Sequence, residues 1–393
     1  MDRKLHVCLV IGDCYPPQAH GGVGTYASDL SRFLVYRGHQ VSCICRNKNQ
    51  NSDRFVSESD EEGMRVLRIR KDQETFPKRI NAFLYRHKIA ELVRWVDKQR
   101  KIDILEFEDG GGLLAFGKLP ETIKIARLHA TTAYNDYELK RSPSRLMHLF
   151  ERLALMRADH IISATDYVAE KTLDLLGLKK GYTKIPLGID INQFSPDVSA
   201  QVEPETILFT GAIAPRKGVL ELIKGFKIVK KNRPKAKLGL AGEIPQEIIA
   251  GSYVDQVLSE VTPEIMDSVS FLGAINRQVL PDLIRKSQVC CFPSKSETFG
   301  LGIIEAMACG RPVIYMNKQP GPEIINDGKD GLLCDTRSPD AIAAAIERLL
   351  RETEYGEELG KQARVRAVNK FNKDNCFSDQ FSYYKNLLVG IQK

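Results

Sequence analysis

Glu297 and Glu305 stand eight residues apart in the segment Ser294-Lys-Ser-Glu297-Thr298-Phe299-Gly300-Leu301-Gly302-Ile-Ile-Glu305-Ala-Met-Ala-Cys-Gly310-Arg-Pro312-Val. An apolar, strand-like run ends at Phe292 and a helical pattern begins near Leu301. The glycine-bearing turn between them presents backbone N–H groups and the positive end of a helix dipole, which together make a phosphate site. One carboxylate can take sugar hydroxyls and the other a ribose diol, because vicinal hydroxyls donate well to an ionised carboxylate. Taken singly, Glu297 reads as a helix cap and Glu305 as a solvated helix residue. The string as a whole favours ligand binding by Glu297, Thr298, Phe299, Gly300, Leu301 and Glu305.

Other candidates lie at the ends of strand-like runs. Gly21, Gly22, Val23 and Gly24 form a loop between the first strand and the first helix, where backbone without side chains can approach a diphosphate. Arg216 and Lys217 follow the run Thr206–Thr210 at the start of a helix, a position that disfavours cations and so argues for an anion nearby. His129 ends the run Ile123–Leu128, a placement suited to hydrogen bonding with sugar hydroxyls. Glu108 and Asp109, ahead of Gly110-Gly111-Gly112, end another strand and are expected to line an acceptor pocket.

These positions need strands and helices in alternation, and the chain supplies them. Strands are expected at His6–Ile11, Val41–Cys45, Met64–Ile69, Ile102–Phe107, Ile123–Leu128, His160–Ser163 and Tyr182–Ile185, with a helix from Gly24 to Tyr36 ended by Gly38. After the proline-bearing stretch 186–204, strands recur at Thr206–Thr210, Leu238–Ala241, Ser270–Leu272, Val289–Phe292, Val313–Tyr315 and Gly331–Leu333. Helices are expected near 217–231, 278–286, 301–309 and 339–352. The fold class is α/β: two doubly wound, Rossmann-like domains, residues 1–190 and 204–372, with ligands at the carboxyl ends of the strands. Residues 355–388 read as terminal helices, and 373–393 are expected to fold back on the first domain.

At these residues the chain resembles glycosyltransferase family 4, the retaining GT-B enzymes. Their signature pairs two glutamates around an F-G-L-like turn followed by E-A-M-A-x-G-x-P-V. Pro16, Pro17, Gly21, Gly22, Val23, Gly24 and Tyr26 are similar to the family's N-terminal P-P-x-x-G-G-V-G-x-Y, with one extra residue, and Gly38-His39 to the R-G-H-x-V that follows. The resemblance implies two domains facing across a cleft, with the glycine loop opposite the nucleotide and Tyr26, Asp109 and His129 on the acceptor side. Gly211-Ala-Ile-Ala-Pro-Arg216-Lys217-Gly218 is similar to G-R-L-x-x-x-K-G, so Lys217 maps onto the lysine that neutralises the leaving diphosphate. Ala212 replaces the family's arginine, and Arg216 is a substitute candidate. Pro186-Leu-Gly188-Ile-Asp190 with Phe194 and Pro196 is similar to the interdomain P-N-G-V-D-x-x-x-F-x-P, with Leu187 in place of asparagine. Gly242 and Ile275 fall where the family packs the nucleotide on backbone.

The implied activity is transfer of a hexose-type sugar from a UDP-, GDP- or ADP-sugar to an acceptor hydroxyl, with no cofactor or metal expected. His129, Lys217 and Glu297 are the catalytic candidates, and the acceptor class is a glycan, a lipid-linked molecule or a small molecule. The alternatives are a nucleotide-sugar epimerase and a catalytically silent sugar-nucleotide or glycan-binding protein.

Bulk properties narrow the field. The chain of 393 residues exceeds what one core usually serves, and no low-complexity tract suggests disorder. Nine cysteines, several in apolar runs, read as reduced and buried, without zinc-ligand spacing. Residues 1–190 carry 31 Lys and Arg against 25 Asp and Glu, which suits phosphates or a lipid surface but is too small an excess for a nucleic-acid reader. A G-x-G-x-x-G spacing is absent, which disfavours coenzyme oxidation chemistry. With no long apolar run or cleavage site, a cytoplasmic protein is expected. Between Pro77 and Lys101 cations interleave with Phe83, Tyr85 and Trp95. Ile80, Phe83, Leu84, Leu92, Val93 and Val96 keep helical spacing and are expected to pack on the sheet, with peripheral membrane contact as the alternative.

Overall fold

The computed structural model describes residues 3–13, 15, 22–47, 56–70, 78–244 and 252–391. The chain divides into two compact units, Met1–Pro186 with Phe377–Lys393, and Leu187–Cys376. The division falls at 186/187, so the segment 187–203 packs with the second unit. Asp190 holds Lys373 at 2.8 Å, and a bridge joins Ile189 to Asn372.

The first unit is built on an eight-stranded sheet. Its strands are β1 (His6–Val10), β2 (Gln40–Arg46), β3 (Val56–Glu61), β4 (Met64–Ile69), β5 (Ile104–Glu108), β6 (Ile123–Leu128), β7 (His160–Ser163) and β8 (Thr183–Lys184). They lie in the order β3-β4-β2-β1-β5-β6-β7-β8, and only β3 runs antiparallel to its neighbour. The strands of the interior are apolar on both faces because helices cover both sides: β1 is buried at all of its residues. β3 escapes the sequence reading because Val-Ser-Glu-Ser-Asp-Glu is polar; an edge strand with one wet face tolerates that.

Its helices are α1 (Gly22–Tyr36), α2 (Lys78–Gln99), α3 (Thr132–Glu138), α4 (Arg145–Arg157) and α5 (Asp166–Leu175). Helix α2 corrects one expectation. Val93 and Val96 are buried, but Ile80, Phe83 and Leu84, in its first two turns, are 47%, 43% and 40% exposed. The apolar stripe therefore leaves the core at its amino end.

The second unit has β9 (Glu203–Thr210), β10 (Lys237–Ala241), β11 (Val269–Gly273), β12 (Ser287–Cys291), β13 (Val313–Met316) and β14 (Leu332–Cys334), all parallel, in the order β11-β10-β9-β12-β13-β14. Around them lie α6 (Val219–Asn232), α7 (Ser252–Ser259), α8 (Pro263–Met266), α9 (Leu280–Lys286), α10 (Leu301–Ala308), α11 (Gly321–Ile324), α12 (Pro339–Arg351) and α13 (Thr353–Phe371). In each sheet the chain reverses direction of growth once, between β1 and β5 and between β9 and β12. Ligands of doubly wound sheets bind at the carboxyl ends of such strands.

The last helix, α14 (Lys373–Ile391), begins in the second unit and from Phe377 belongs to the first. Gln380 is buried there and donates to the Tyr26 hydroxyl at 2.6 Å and to Glu106 at 2.9 Å, while Arg127 donates to Gln380 at 3.2 Å. The eight described cysteines are buried and free, and Cys14 lies outside the described residues. Among the described residues no helix is long and apolar enough to cross a membrane.

Candidate active site

In the second unit two loops at neighbouring strand ends are fastened together. After β9 the chain makes a short turn, Pro215–Lys217, closed by Gly218 at φ 71°, before α6 begins. After β12 the loop runs from Phe292 to Gly300. Lys295 donates its amide to the Arg216 carbonyl at 2.8 Å, and Ser296 donates to the same oxygen at 3.3 Å. A Cβ at Gly218 would run into the Pro293 carbonyl, so glycine there is required both by the left-handed backbone and by the close approach.

This fastening brings Lys217 onto Glu297 as a hydrogen-bonded ion pair, with Arg216 Nη1 at 3.9 Å from the same carboxylate. Burial pushes the Glu297 carboxyl up, but Lys217 and then Arg216 outweigh it and hold the group below its usual range. Burial pulls the Lys217 ammonium down against the attraction of Glu297. The result is a half-dry cation and anion at a switch point: Lys217 can exchange Glu297 for an anionic ligand, and Glu297 can exchange Lys217 for hydroxyl donors.

Helix α10 starts at Leu301 with Gly300, at φ 88°, as its cap. Gly300 has no side chain to offer, so Glu297 is not the cap of this helix. Gly302 lies against the end of β9, where a Cβ would stand 3.2 Å from Thr210 Oγ1, so the first turn of α10 sits over the junction of β9 and β12. Thr298 donates its amide to Glu297 at 3.2 Å, and Phe299 is buried with its ring edge against Phe371 at 5.4 Å. Glu305 is 5% exposed, so it is not a solvated helix residue, and Arg277 Nη1 stands 2.9 Å from its Oε1. The structure thus brings Arg216, Lys217, Glu297, Thr298, Gly300, Leu301 and Glu305 to one end of the sheet.

Gly242 has a protein reason of its own. A Cβ there would collide with the Gly211 carbonyl, because Gly211 donates to Ala241 at 2.9 Å and Ile213 to Glu243 at 2.8 Å. Ile275 is partly exposed in the loop after β11 that leads to Arg277. Arg277 had no sequence signal: a lone arginine after a strand has no partner until the fold supplies one.

In the first unit His129 is partly exposed at the end of β6, and desolvation pulls its imidazole down to about 3, so the ring is neutral. Its backbone amide, and that of Ala130, donate to Asp109 Oδ1 at 2.8 and 3.2 Å. Asp109 is fully buried, so it positions the His129 strand end instead of lining a pocket. Tyr26 is corrected likewise: it is 6% exposed and its hydroxyl donates to Glu106 at 2.6 Å. Only its ring meets His129, edge-on at 5.1 Å, while the Arg127 guanidinium stands 4.8 Å from the same ring.

Gly22 and Gly24 belong to the first turn of α1, two residues earlier than the expected start, while Pro16, Pro17 and Gly21 lie outside the described residues. The glycine run after Asp109 serves packing. A Cβ at Gly112 would enter the Phe150 backbone, so α4 is seated directly on the turn. From α4 the buried Glu151 accepts from the amides of Gly111, Thr132 and Ala133 at 3.1, 2.6 and 3.2 Å, tying the turn to the start of α3. Neither this carboxylate nor Gln380 was legible as a functional partner, because both act through tertiary contacts. Among the described residues no three His, Cys, Asp or Glu side chains are grouped to hold a metal ion.

Residues 190–366 match the family model described as glycosyl transferases group 1, and residues 20–193 match glycosyltransferase family 4. The chain is 24% identical over 390 residues to a glycogen synthase of Mycobacterium tuberculosis, covering 93% of this chain and 91% of that protein. In structure it is similar to sucrose-phosphate synthase from Thermosynechococcus elongatus, with TM-score 0.83 and 23% identity over 98% of this chain and all of the other. It is also similar to Anabaena HepE solved with UDP and glucose, with TM-score 0.75 and 18% identity over 96% and 99%. The fold is GT-B, and the two matched halves together identify the chain as a member of the family 4 type glycosyltransferases, enzymes that transfer sugar.

Proposed function

We propose that the protein is a retaining hexosyltransferase that uses a nucleotide-sugar donor and an acceptor hydroxyl, and that it needs no metal. The observation that carries this reading is the convergence of Lys217, Arg216 and Glu297 on the glycine turn that opens α10, with Glu305 buried one turn further on. In this reading the turn amides, the α10 dipole and Lys217 stabilise the departing diphosphate. Glu297 turns from Lys217 to the sugar hydroxyls, and Glu305 accepts from the ribose diol. The acceptor hydroxyl attacks on the face that the nucleotide leaves, and the leaving phosphate takes its proton. Neutral His129, at the end of β6, is available as an uncharged hydrogen-bonding group for sugar hydroxyls. HepE, solved with UDP and glucose, supports a nucleotide-sugar donor by analogy of fold.

The test is slow donor hydrolysis followed by proton NMR in chelator-treated buffer. Release of sugar with the donor's own anomeric configuration from one of the UDP-, GDP- or ADP-hexoses supports the reading; binding without any turnover, with or without added metal, favours a silent sugar-nucleotide-binding protein. A lipid-linked acceptor, with peripheral membrane contact, is supported by the exposed Ile80, Phe83 and Leu84 beside Arg79. Co-sedimentation with anionic vesicles, lost on Phe83→Ser with Leu84→Ser, checks it.

A further inference from the structure

Glu305 faces a difficulty that its own helix cannot solve. A carboxylate buried in an apolar helix such as Leu-Gly-Ile-Ile-Glu-Ala-Met-Ala needs a partner to stay ionised, and it needs a fixed direction to accept two hydroxyls at once. Arg277 answers both needs, and the structure holds Arg277 in turn. Its guanidinium carbon stands 5.2 Å from the ring centroid of Phe194, a fully buried residue. Its carbonyl accepts from Gln193 Nε2 at 2.8 Å. Gln193 and Phe194 belong to a turn fixed at both ends. Asp190 accepts the amides of Asn192 and Gln193, each at 3.0 Å, and pairs with Lys373 at 2.8 Å. Arg364 donates to the carbonyls of Ile191, Phe194 and Ala308 at 3.0, 2.9 and 3.0 Å, joining the turn to the end of α10.

The segment 190–194 is therefore the mount of a cation, and the cation stands against Glu305 Oε1. We propose that Arg277 is a positioning residue that orients the Glu305 carboxylate and so sets the preference of the enzyme for a ribonucleotide over a deoxyribonucleotide donor. The proposal rests on the donor-site reading above. Arg277 acts through Glu305: its guanidinium holds one oxygen, which leaves the carboxylate in a single orientation for the diol. Without it the carboxylate turns or is neutralised, and the hydroxyls lose their acceptor.

The experiment is calorimetric titration of the full chain and of Arg277→Met and Arg277→Lys with UDP, GDP and ADP. The tightest of these is then compared with its 2′-deoxy and 3′-deoxy forms. The parent protein is expected to prefer the ribonucleotide by about 10- to 100-fold, the value of hydrogen bonds to a charged acceptor. Arg277→Met is expected to lose most of that preference by weakening the ribonucleotide alone, and Arg277→Lys to restore part of it. A merely structural role would weaken the ribo and deoxy forms together. An unchanged ratio in Arg277→Met, or tighter ribonucleotide binding by it, overturns the assignment while leaving the donor site intact. Failure of the parent protein to bind any of the three overturns the donor-site reading and this assignment with it.

Discussion

Lys217 and Glu297, eighty residues apart in the chain, form a hydrogen-bonded ion pair at the carboxyl ends of β9 and β12. Neither the strand nor the helix that carries each residue brings them together; the bonds from the Lys295 and Ser296 amides to the Arg216 carbonyl do. Because Lys217 is assigned to the diphosphate, whose charge grows as it leaves, Lys217→Ala is expected to lower kcat by about 10²- to 10³-fold, more than it weakens donor binding. Steady-state kinetics on the donor identified by hydrolysis checks this, with Lys217→Arg as a partial rescue.

Gly218 offers a test of the scaffold without touching a ligand group. Gly218→Ala forces a Cβ against the Pro293 carbonyl at φ 71°. The expected cost is about 1–3 kcal/mol of stability, with separation of the two loops. Donor affinity falls with it, although no donor contact is removed; denaturant melts and donor titration measure the two effects side by side.

The carboxyl of Glu108 is raised to about 8, first by burial and then by the nearby Asp109 and Asp13 charges, against a bond from the Gly12 amide. In the unfolded chain it ionises near 4.5, so between those values the folded state binds the extra proton and stability falls as pH rises. Asp109, raised to about 7 by burial, adds to the same slope, whereas His129, lowered to about 3, makes stability rise from pH 3 towards 6.5. Glu108→Gln is therefore expected to raise Tm at pH 8 while leaving it nearly unchanged at pH 4. Thermal melts across that range decide it.

Gln380 closes a buried polar network with Tyr26, Glu106, Arg127 and Tyr384. Gln380→Leu leaves Glu106 and Arg127 without it, at an expected cost of about 2–4 kcal/mol. Chemical denaturation followed by tyrosine and tryptophan fluorescence measures the loss, and Asn386→Ala, at an exposed position on the same helix, is the control.

The sequence made most of the fold legible because its strands are apolar runs punctuated by glycine and proline. Met64–Ile69, Ile123–Leu128 and His160–Ser163 are strands with those very ends. Polar β3 carries no strand signal, and the apolar spacing of α2 points its exposed first turns to the core, since spacing alone does not say where a helix outruns its sheet. Within the site, residues joined by local chemistry were legible: Glu297, Gly300 and Glu305 share one turn and helix. Their partners were less so. Lys217 was placed near a phosphate, but its pairing with Glu297, the Arg277 mount and the burial of Tyr26 and Asp109 depend on contacts between segments tens to hundreds of residues apart.

In the proposed function the loops after β9 and β12 form one nucleotide-sugar site. Calorimetric titration of chelator-treated protein with UDP-, GDP- and ADP-sugars, beside Lys217→Ala and Glu305→Ala, tests it most directly. One nucleotide class is expected to bind the parent protein without metal, and both variants are expected to lose about tenfold or more in affinity, the share of a charged hydrogen bond. Binding that survives both substitutions unchanged, or no binding at millimolar concentration, would contradict it.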